Sequence, residues 1–315
     1  VQGFEIPAPL RGIIPPLVTP LAGEDRLDRN ALARLLEHLI AGGVSGVFAL
    51  GTNGEAPSLG PKLQRQVLEE TCRAVDGRLP VLAGITGVSL QESLHLAEHA
   101  AQCGAQAVVA APPFYYPLGQ EDLLAYYRQL ADRLPLPLLL YDIPSHAGNR
   151  FEVATVAQLM PHPNIIGIKD STGDMIHFHR LCRLVETQPE FNLLVGPEEM
   201  LPDVVLAGAH GGVCGGANAL PSLYVQLYRA AEQGDLVEVR RLHNLVLRFA
   251  GGMVSLSGKP TAFLCGLKAA LAALELCGPV CAPPLQSLTT EQMQSAAQLV
   301  REVEQAFSAG VAAVR

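Results

Sequence analysis

Asn164-Ile165-Ile166-Gly167-Ile168-Lys169-Asp170-Ser171 runs from small and apolar residues straight into a lysine, and Thr172-Gly173-Asp174 follows at once. The run is too short for a helix and is apolar at both alternating positions, which predicts a strand buried on both faces of a parallel sheet. Lys169 then stands at the strand's C-terminal end, where parallel α/β folds gather their ligands. The chain has four lysines (Lys62, Lys169, Lys259 and Lys268), and Lys169 alone ends such a run. Two readings of it stay open on the residues alone. A desolvated lysine amine is a nucleophile for carbonyl carbon. A lysine can equally bury its stem and send its head to solvent or to a neighbour such as Asp170.

Around this strand the chain alternates. Short apolar runs at residues 13–19, 44–50, 80–85, 105–111, 137–141, 191–195 and 211–215 join the Lys169 strand to make eight. Between them lie helical patterns. Asp28 caps one that carries Leu32, Leu35, Leu36, Leu39 and Ile40 and ends at Gly42-Gly43. Others start at Pro61, a favoured first position, and after Ser89, which caps residues 90–102. Further helices are expected at 122–134, just before Met160, and at 175–187, 198–207 and 221–233. Eight strands alternating with eight helices predict an α/β (β/α)8 TIM barrel over residues 1–234. The competing doubly wound sheet lacks any G-x-G-x-x-G after a strand. From Asp235 the alternation stops, and helices at 236–249, 260–276 and 290–307 predict a C-terminal three-helix appendage over 235–315.

With 315 residues, 49% of them hydrophobic, the chain has ample material for a large core. A net charge of −8 argues against nucleic acid and anionic membrane as partners. The seven cysteines are scattered, odd in number and without metal-type spacing, which predicts reduced core residues of a cytoplasmic protein. The N-terminus, with Glu5 and several prolines, lacks a basic segment followed by an apolar one, so no signal peptide is expected. No apolar stretch approaches the roughly 20 residues of a transmembrane helix.

The ends of the predicted strands share one rim of the barrel. That rim collects Thr19, Gly51-Thr52-Asn53, Phe114-Tyr115-Tyr116, Tyr141, Lys169, Gly196-Pro197-Glu198 and Val213-Cys214. An amine, phenols, a hydroxyl and glycine-rich backbone suit imine chemistry on a 2-oxo acid. Lysine attacks the keto carbon, a phenol relays protons, and amides and hydroxyls hold the carboxylate.

Three motifs sharpen this: Gly51-Thr52-Asn53-Gly54-Glu55, Tyr141-Asp142-Ile143-Pro144, and Gly167 through Asp174. In this order and spacing the chain resembles the dihydrodipicolinate synthase and N-acetylneuraminate lyase family of class I pyruvate-type aldolases and dehydratases, essentially end to end. The resemblance implies that Lys169 forms the imine with no other cofactor and that Tyr141 donates and accepts protons beside it. It implies that Thr52 binds carboxylate and passes protons to Tyr141, and that Val213 faces the pyruvate moiety through its backbone. Asn53 stands where many members carry a second threonine; its side chain or backbone N–H is left to hold the carboxylate. Glu55 is read as ordering its own loop. Tyr115 matches a tyrosine that the synthases lend to a neighbouring subunit's relay, and the family form implies a homotetramer.

One departure bears on substrate. Synthases that use aspartate semialdehyde carry arginine at the position of His146, and a neutral imidazole cannot supply that bidentate fork. The Phe114-Tyr115-Tyr116 form is more similar to sialic-acid lyases and sugar-acid aldolases. Gly211-Gly212-Val213-Cys214 and the Cys281 to Gln286 segment are similar to the 4-hydroxy-2-oxoglutarate aldolase branch. The expected activity is therefore a lyase, aldolase or dehydratase, acting on a 2-oxo-3-deoxy sugar acid or hydroxy-oxo acid to give pyruvate and an aldehyde. Condensation of pyruvate with aspartate semialdehyde is the alternative, and a non-catalytic 2-oxo-acid-binding paralogue is a third reading. Metal catalysis is not expected: His177-Phe178-His179, the only H-x-H, falls on a predicted helix where the two side chains diverge.

Overall fold

The computed structural model of the protein describes residues 8–313, with side chains through residue 310. The N-terminal segment around Glu5, read above for a signal peptide, lies outside the described residues. Among the described residues ten strands follow in chain order. They are β1 (Gly12–Ile13), β2 (Leu21–Gly23), β3 (Arg26–Leu27), β4 (Val47–Ala49), β5 (Val81–Gly84), β6 (Ala107–Ala110), β7 (Leu138–Asp142), β8 (Ile165–Asp170), β9 (Asn192–Val195) and β10 (Gly211–Gly212). Strands β4 to β10 pair in sequence, all parallel, and β1 pairs with β10. Backbone bonds from Ser45 N to Ile13 O, Phe48 N to Pro15 O and Leu17 N to Phe48 O join β4 to the segment after β1. The sheet therefore closes on itself, and the fold is the expected TIM barrel.

The helices are α1 (Arg29–Ala41), α2 (Pro61–Val75), α3 (Leu90–Cys103), α4 (Gln120–Arg133), α5 (Pro144–Ala147), α6 (Val153–Leu159), α7 (Met175–Val185), α8 (Leu201–Leu206) and α9 (Pro221–Gln233). Then come α10 (Leu236–Ser255), α11 (Ala262–Ala273) and α12 (Thr290–Ala313), the expected C-terminal helices. Asp28 caps α1 by accepting from Ala31 N at 3.0 Å, and Pro61 opens α2. Ser89 stands at the N-cap of α3 without a side-chain bond to it. The helix expected just before Met160 is α6; the short α5 ahead of it, ended by Gly148 with φ 69°, is an addition. The hairpin β2–β3 was not foreseen. Strand β10 is also shorter than expected. A Cβ on Gly211 would lie 2.0 Å from the carbonyl oxygen of Gly12, so only glycine lets β10 approach β1 this closely.

Strand alternation divides the core in two. Ile14, Phe48, Leu82, Val109, Leu139, Tyr141, Leu194 and Val213 fill the barrel interior. Val47, Ala49, Val108, Ala110, Leu138, Leu140, Ile168 and Leu193 face outward against the helices. Lys169 falls in register with Tyr141 and points inward with it, while Asp170 and Asp142 point to the helix layer. Among the described residues no helix is long and apolar enough to cross a membrane.

Candidate active site

Lys169 is 3% exposed. Its Nζ lies 3.9 Å from the centre of the Tyr141 ring and 5.3 Å from that of Phe48, so the amine rests on aromatic faces rather than on a carboxylate. An ion pair with Asp170 is not formed, because successive strand residues face opposite ways. The Tyr141 hydroxyl is 3.2 Å from Thr52 Oγ1, with either atom able to donate. These three side chains open into one cavity of 290 Å³, whose wall also includes Asn53, Ile143, His146, Ser171, Glu198, Glu199 and Val213. A second cavity of 250 Å³ shares Thr52, Tyr141, Ile143 and His146 and is closed by Phe48, Thr86 and Phe114.

The loop that carries Thr52 is held from three directions. Thr19, expected as a rim hydroxyl, instead donates to Gly54 O at 2.7 Å and is buried beneath the loop. Asn53 packs against Gly215, where a Cβ would come within 2.4 Å of Asn53 Nδ2. Glu55 takes a left-handed backbone (φ 59°), accepts from Ala282 N at 2.6 Å and pairs with Lys268 of α11, both side chains fully buried. Glu55 does order its loop, but it does so by anchoring it to the C-terminal helices. Those helices also supply Val254, Thr261, Phe263 and Leu264 to the cavity wall, which strand-end reasoning alone did not find.

Val213 lines the cavity, but its N–H donates to Val195 O at 2.7 Å, so its amide is not free for a ligand. His146 lies on α5, and burial, with the Lys169 charge second, holds its imidazole below the usual histidine range. It is a neutral side chain at pH 7. Tyr115 does not reach the cavity of its own chain. It is 72% exposed and stacks edge-on with Tyr116, ring centres 5.0 Å apart, beside the exposed Phe114.

Two acidic groups, Glu198 in the wall and Asp142 behind it, hold their protons more tightly than a free carboxyl. Glu198 accepts from Gly216 N at 2.8 Å and from the Tyr224 hydroxyl, and burial pushes it up to about 7. Asp142 is pushed up to about 7 by burial and by the charge of Asp170, which is itself raised by burial. His177 on α7 faces both aspartates, whereas His179 is exposed, so the H-x-H pair diverges as expected. The approach of Asp142, Asp170 and His177 was not foreseen. Its signal is an acidic residue after both Tyr141 and Lys169, at matching positions of neighbouring strands.

The chain matches the Dihydrodipicolinate synthetase family over residues 9–303. It superimposes with a TM-score of 0.91 on a dihydrodipicolinate synthase from Bacteroides thetaiotaomicron, at 44% identity over 95% of this chain and 100% of that one. It also superimposes on YagE from Escherichia coli K12, a prophage protein of the dihydrodipicolinic acid synthase family solved in complex with pyruvate. There the TM-score is 0.88 and the identity 30%, over 93% of this chain and 98% of that one. A probable 2-dehydro-3-deoxy-D-pentonate aldolase, YjhH of the same bacterium, is 35% identical over 75% of this chain and 79% of its own length. Relatives of this chain thus include both aldolases and synthases, built on the same barrel. The protein belongs to the dihydrodipicolinate synthase family of lyases and aldolases.

Proposed function

We propose that this chain is an imine-forming lyase that cleaves or dehydrates a 2-oxo-3-deoxy sugar acid or hydroxy-oxo acid, with pyruvate as the product of cleavage. The observation that carries the reading is the buried Lys169 amine on the face of Tyr141, whose hydroxyl meets Thr52, at the wall of a 290 Å³ cavity. In cleavage, neutral Lys169 attacks C2 of the oxo acid and the carbinolamine loses water to give an iminium. Tyr141, its proton relayed through Thr52, removes the proton of the C4 hydroxyl. The C3–C4 bond then breaks, its electrons pass into the iminium as an enamine, and the aldehyde leaves. Reprotonation at C3 and hydrolysis return pyruvate and free Lys169. Dehydration branches at the iminium: a proton is removed from C3 instead, and the resulting enamine, with C3–C4 intact, expels the C4 hydroxyl as water before hydrolysis frees Lys169. The covalent imine serves as the electron sink and no separate cofactor enters the scheme. Thr52 and Asn53 hold the substrate carboxylate, with the Val213 segment opposite.

His146 supports the sugar-acid reading over condensation with aspartate semialdehyde. As a neutral imidazole at the mouth of both cavities, it offers hydrogen bonds to hydroxyls and no fixed positive charge to a second carboxylate. The 44% identity to a synthase keeps that condensation as the second reading. A panel of 2-oxo-3-deoxy sugar acids and hydroxy-oxo acids, with pyruvate release as the readout, separates the two. Turnover on the panel, with no condensation of pyruvate and aspartate semialdehyde by the wild type, is the expected result. Condensation as the faster reaction would replace this reading with the synthase. We infer further that the chain works as a homotetramer, in which the exposed Tyr115 is covered by a neighbouring copy and completes its relay.

A further inference from the structure

Behind Tyr141 and Lys169, on the helix side of the sheet, three polar atoms face one another. They are Asp142 Oδ2, Asp170 Oδ2 and His177 Nε2, all within 4.8 Å of one another. Among the described residues none of the three has a hydrogen-bond partner, and their side chains are 0%, 0% and 6% exposed. His177 Nε2 stands 3.7 Å from Asp142 Oδ2 and 3.5 Å from Asp170 Oδ2, too far for a hydrogen bond to either. Desolvating two carboxylates and an imidazole without partners costs several kcal/mol, so this arrangement calls for a ligand. The guanidinium of Arg150 pairs with Asp174 at 3.0 Å.

The other oxygen of each carboxylate is already held. Asp170 Oδ1 accepts from Thr172 N at 2.8 Å and from Thr172 Oγ1 at 2.7 Å, and Asp142 Oδ1 accepts from Phe151 N at 3.4 Å. His177 is set at the start of α7 by its N–H, which donates to Asp174 Oδ1 at 3.0 Å. Each carboxylate is thus clamped through one oxygen and presents the other, the arrangement by which outer partners orient metal ligands.

We propose that Asp142, Asp170 and His177 bind one divalent first-row cation of the Zn²⁺ type. Ligands about 2.0–2.1 Å from a tetrahedral ion lie roughly 3.3 Å from one another, close to the two His–Asp separations here. Two carboxylates neutralise the charge of such an ion. The imidazole nitrogen and the small number of ligands disfavour Ca²⁺ and Mg²⁺, which take six or more oxygens. The ion lies outside the Lys169 cavity and takes no part in the imine steps. It ties the ends of β7 and β8, one residue past Tyr141 and Lys169, to the first turn of α7.

The test strips the full-length protein with a chelator and titrates it with Zn²⁺. X-ray absorption on the zinc-loaded wild type then reads the coordination sphere. One Zn²⁺ per chain, in a sphere of oxygen and nitrogen without sulfur, is expected. Asp170→Asn and His177→Gln should each weaken binding by about tenfold or more. Three results would overturn the proposal: no zinc bound by the wild type, sulfur in the sphere, or unchanged affinity in both variants. Sulfur would place the ion at the Cys265–Cys281 pair, whose sulfurs are 4.0 Å apart. Because the wild-type sphere decides by itself, a variant that fails to fold does not spare the proposal.

Discussion

Lys169 and Asp170 are neighbours on one strand, yet they belong to two chemistries. The pleat sends Lys169 into the barrel beside Tyr141 and Asp170 out toward Asp142 and His177. That separation keeps Asp170 away from the amine, which rests on the aromatic faces of Tyr141 and Phe48 instead. Tyr141 has a distinct part in this arrangement, since its ring supports the amine while its hydroxyl meets Thr52. Tyr141→Phe keeps the ring and removes the hydroxyl. It should leave borohydride trapping of a pyruvate imine intact while turnover falls by about 10²–10⁴-fold; steady-state kinetics beside trapping read the split. Loss of both together would mean that the hydroxyl is needed to form the imine as well as to break the C3–C4 bond. The place of Lys169 at the C-terminal end of a buried strand was legible from the apolar run before it; which face it takes was not, because that run is buried on both sides. The orphaned trio was not legible, since nothing in a linear pattern shows that His177 comes round to meet two strand ends.

At the scale of elements, the Gly51 to Glu55 loop depends on a helix more than 200 residues away. Glu55 and Lys268 are both fully buried, so removing one charge strands the other. Lys268→Met should cost roughly 3–5 kcal/mol, read as a lowered urea midpoint, and the double change with Glu55→Gln should recover much of it. The β9 end is held by Glu198 in a different way. Burial raises its carboxyl from the usual 4.5 to about 7, so the folded chain keeps a proton that the unfolded chain releases across that window. Stability should therefore fall as pH rises from about 4.5 to 7 and level off above. Glu198→Gln should flatten that slope, which is worth up to roughly 3 kcal/mol, in denaturation curves taken across pH. Asp28 and Pro61 were readable as helix starts because capping and a fixed φ are local effects. The β2–β3 hairpin and the short β10 were not, because a tight turn and a glycine-to-backbone approach are set by what lies across the sheet.

For the molecule as a whole, eight alternations were enough to anticipate a closed barrel, since a parallel sheet must be covered and a closed one has no edge. The C-terminal helices were legible as helices. Their share in the cavity wall was not, because amphipathic periodicity says that a face is buried and not against what. Val88, Phe114, Tyr115 and Tyr116 leave an apolar surface exposed on the single chain, consistent with the homotetramer proposed above. Tyr115→Ser combined with Tyr116→Ser should weaken self-association in sedimentation velocity; an unchanged assembly would place the subunit contact elsewhere.

The central claim is that Lys169 forms a covalent imine with a 2-oxo acid. Intact-mass spectrometry after incubation with pyruvate and borohydride, on the wild type and on Lys169→Ala, tests it most directly. The account predicts a single pyruvate-sized adduct on the wild type and none on the variant. No adduct on the wild type, or an adduct that survives the loss of Lys169, would contradict it.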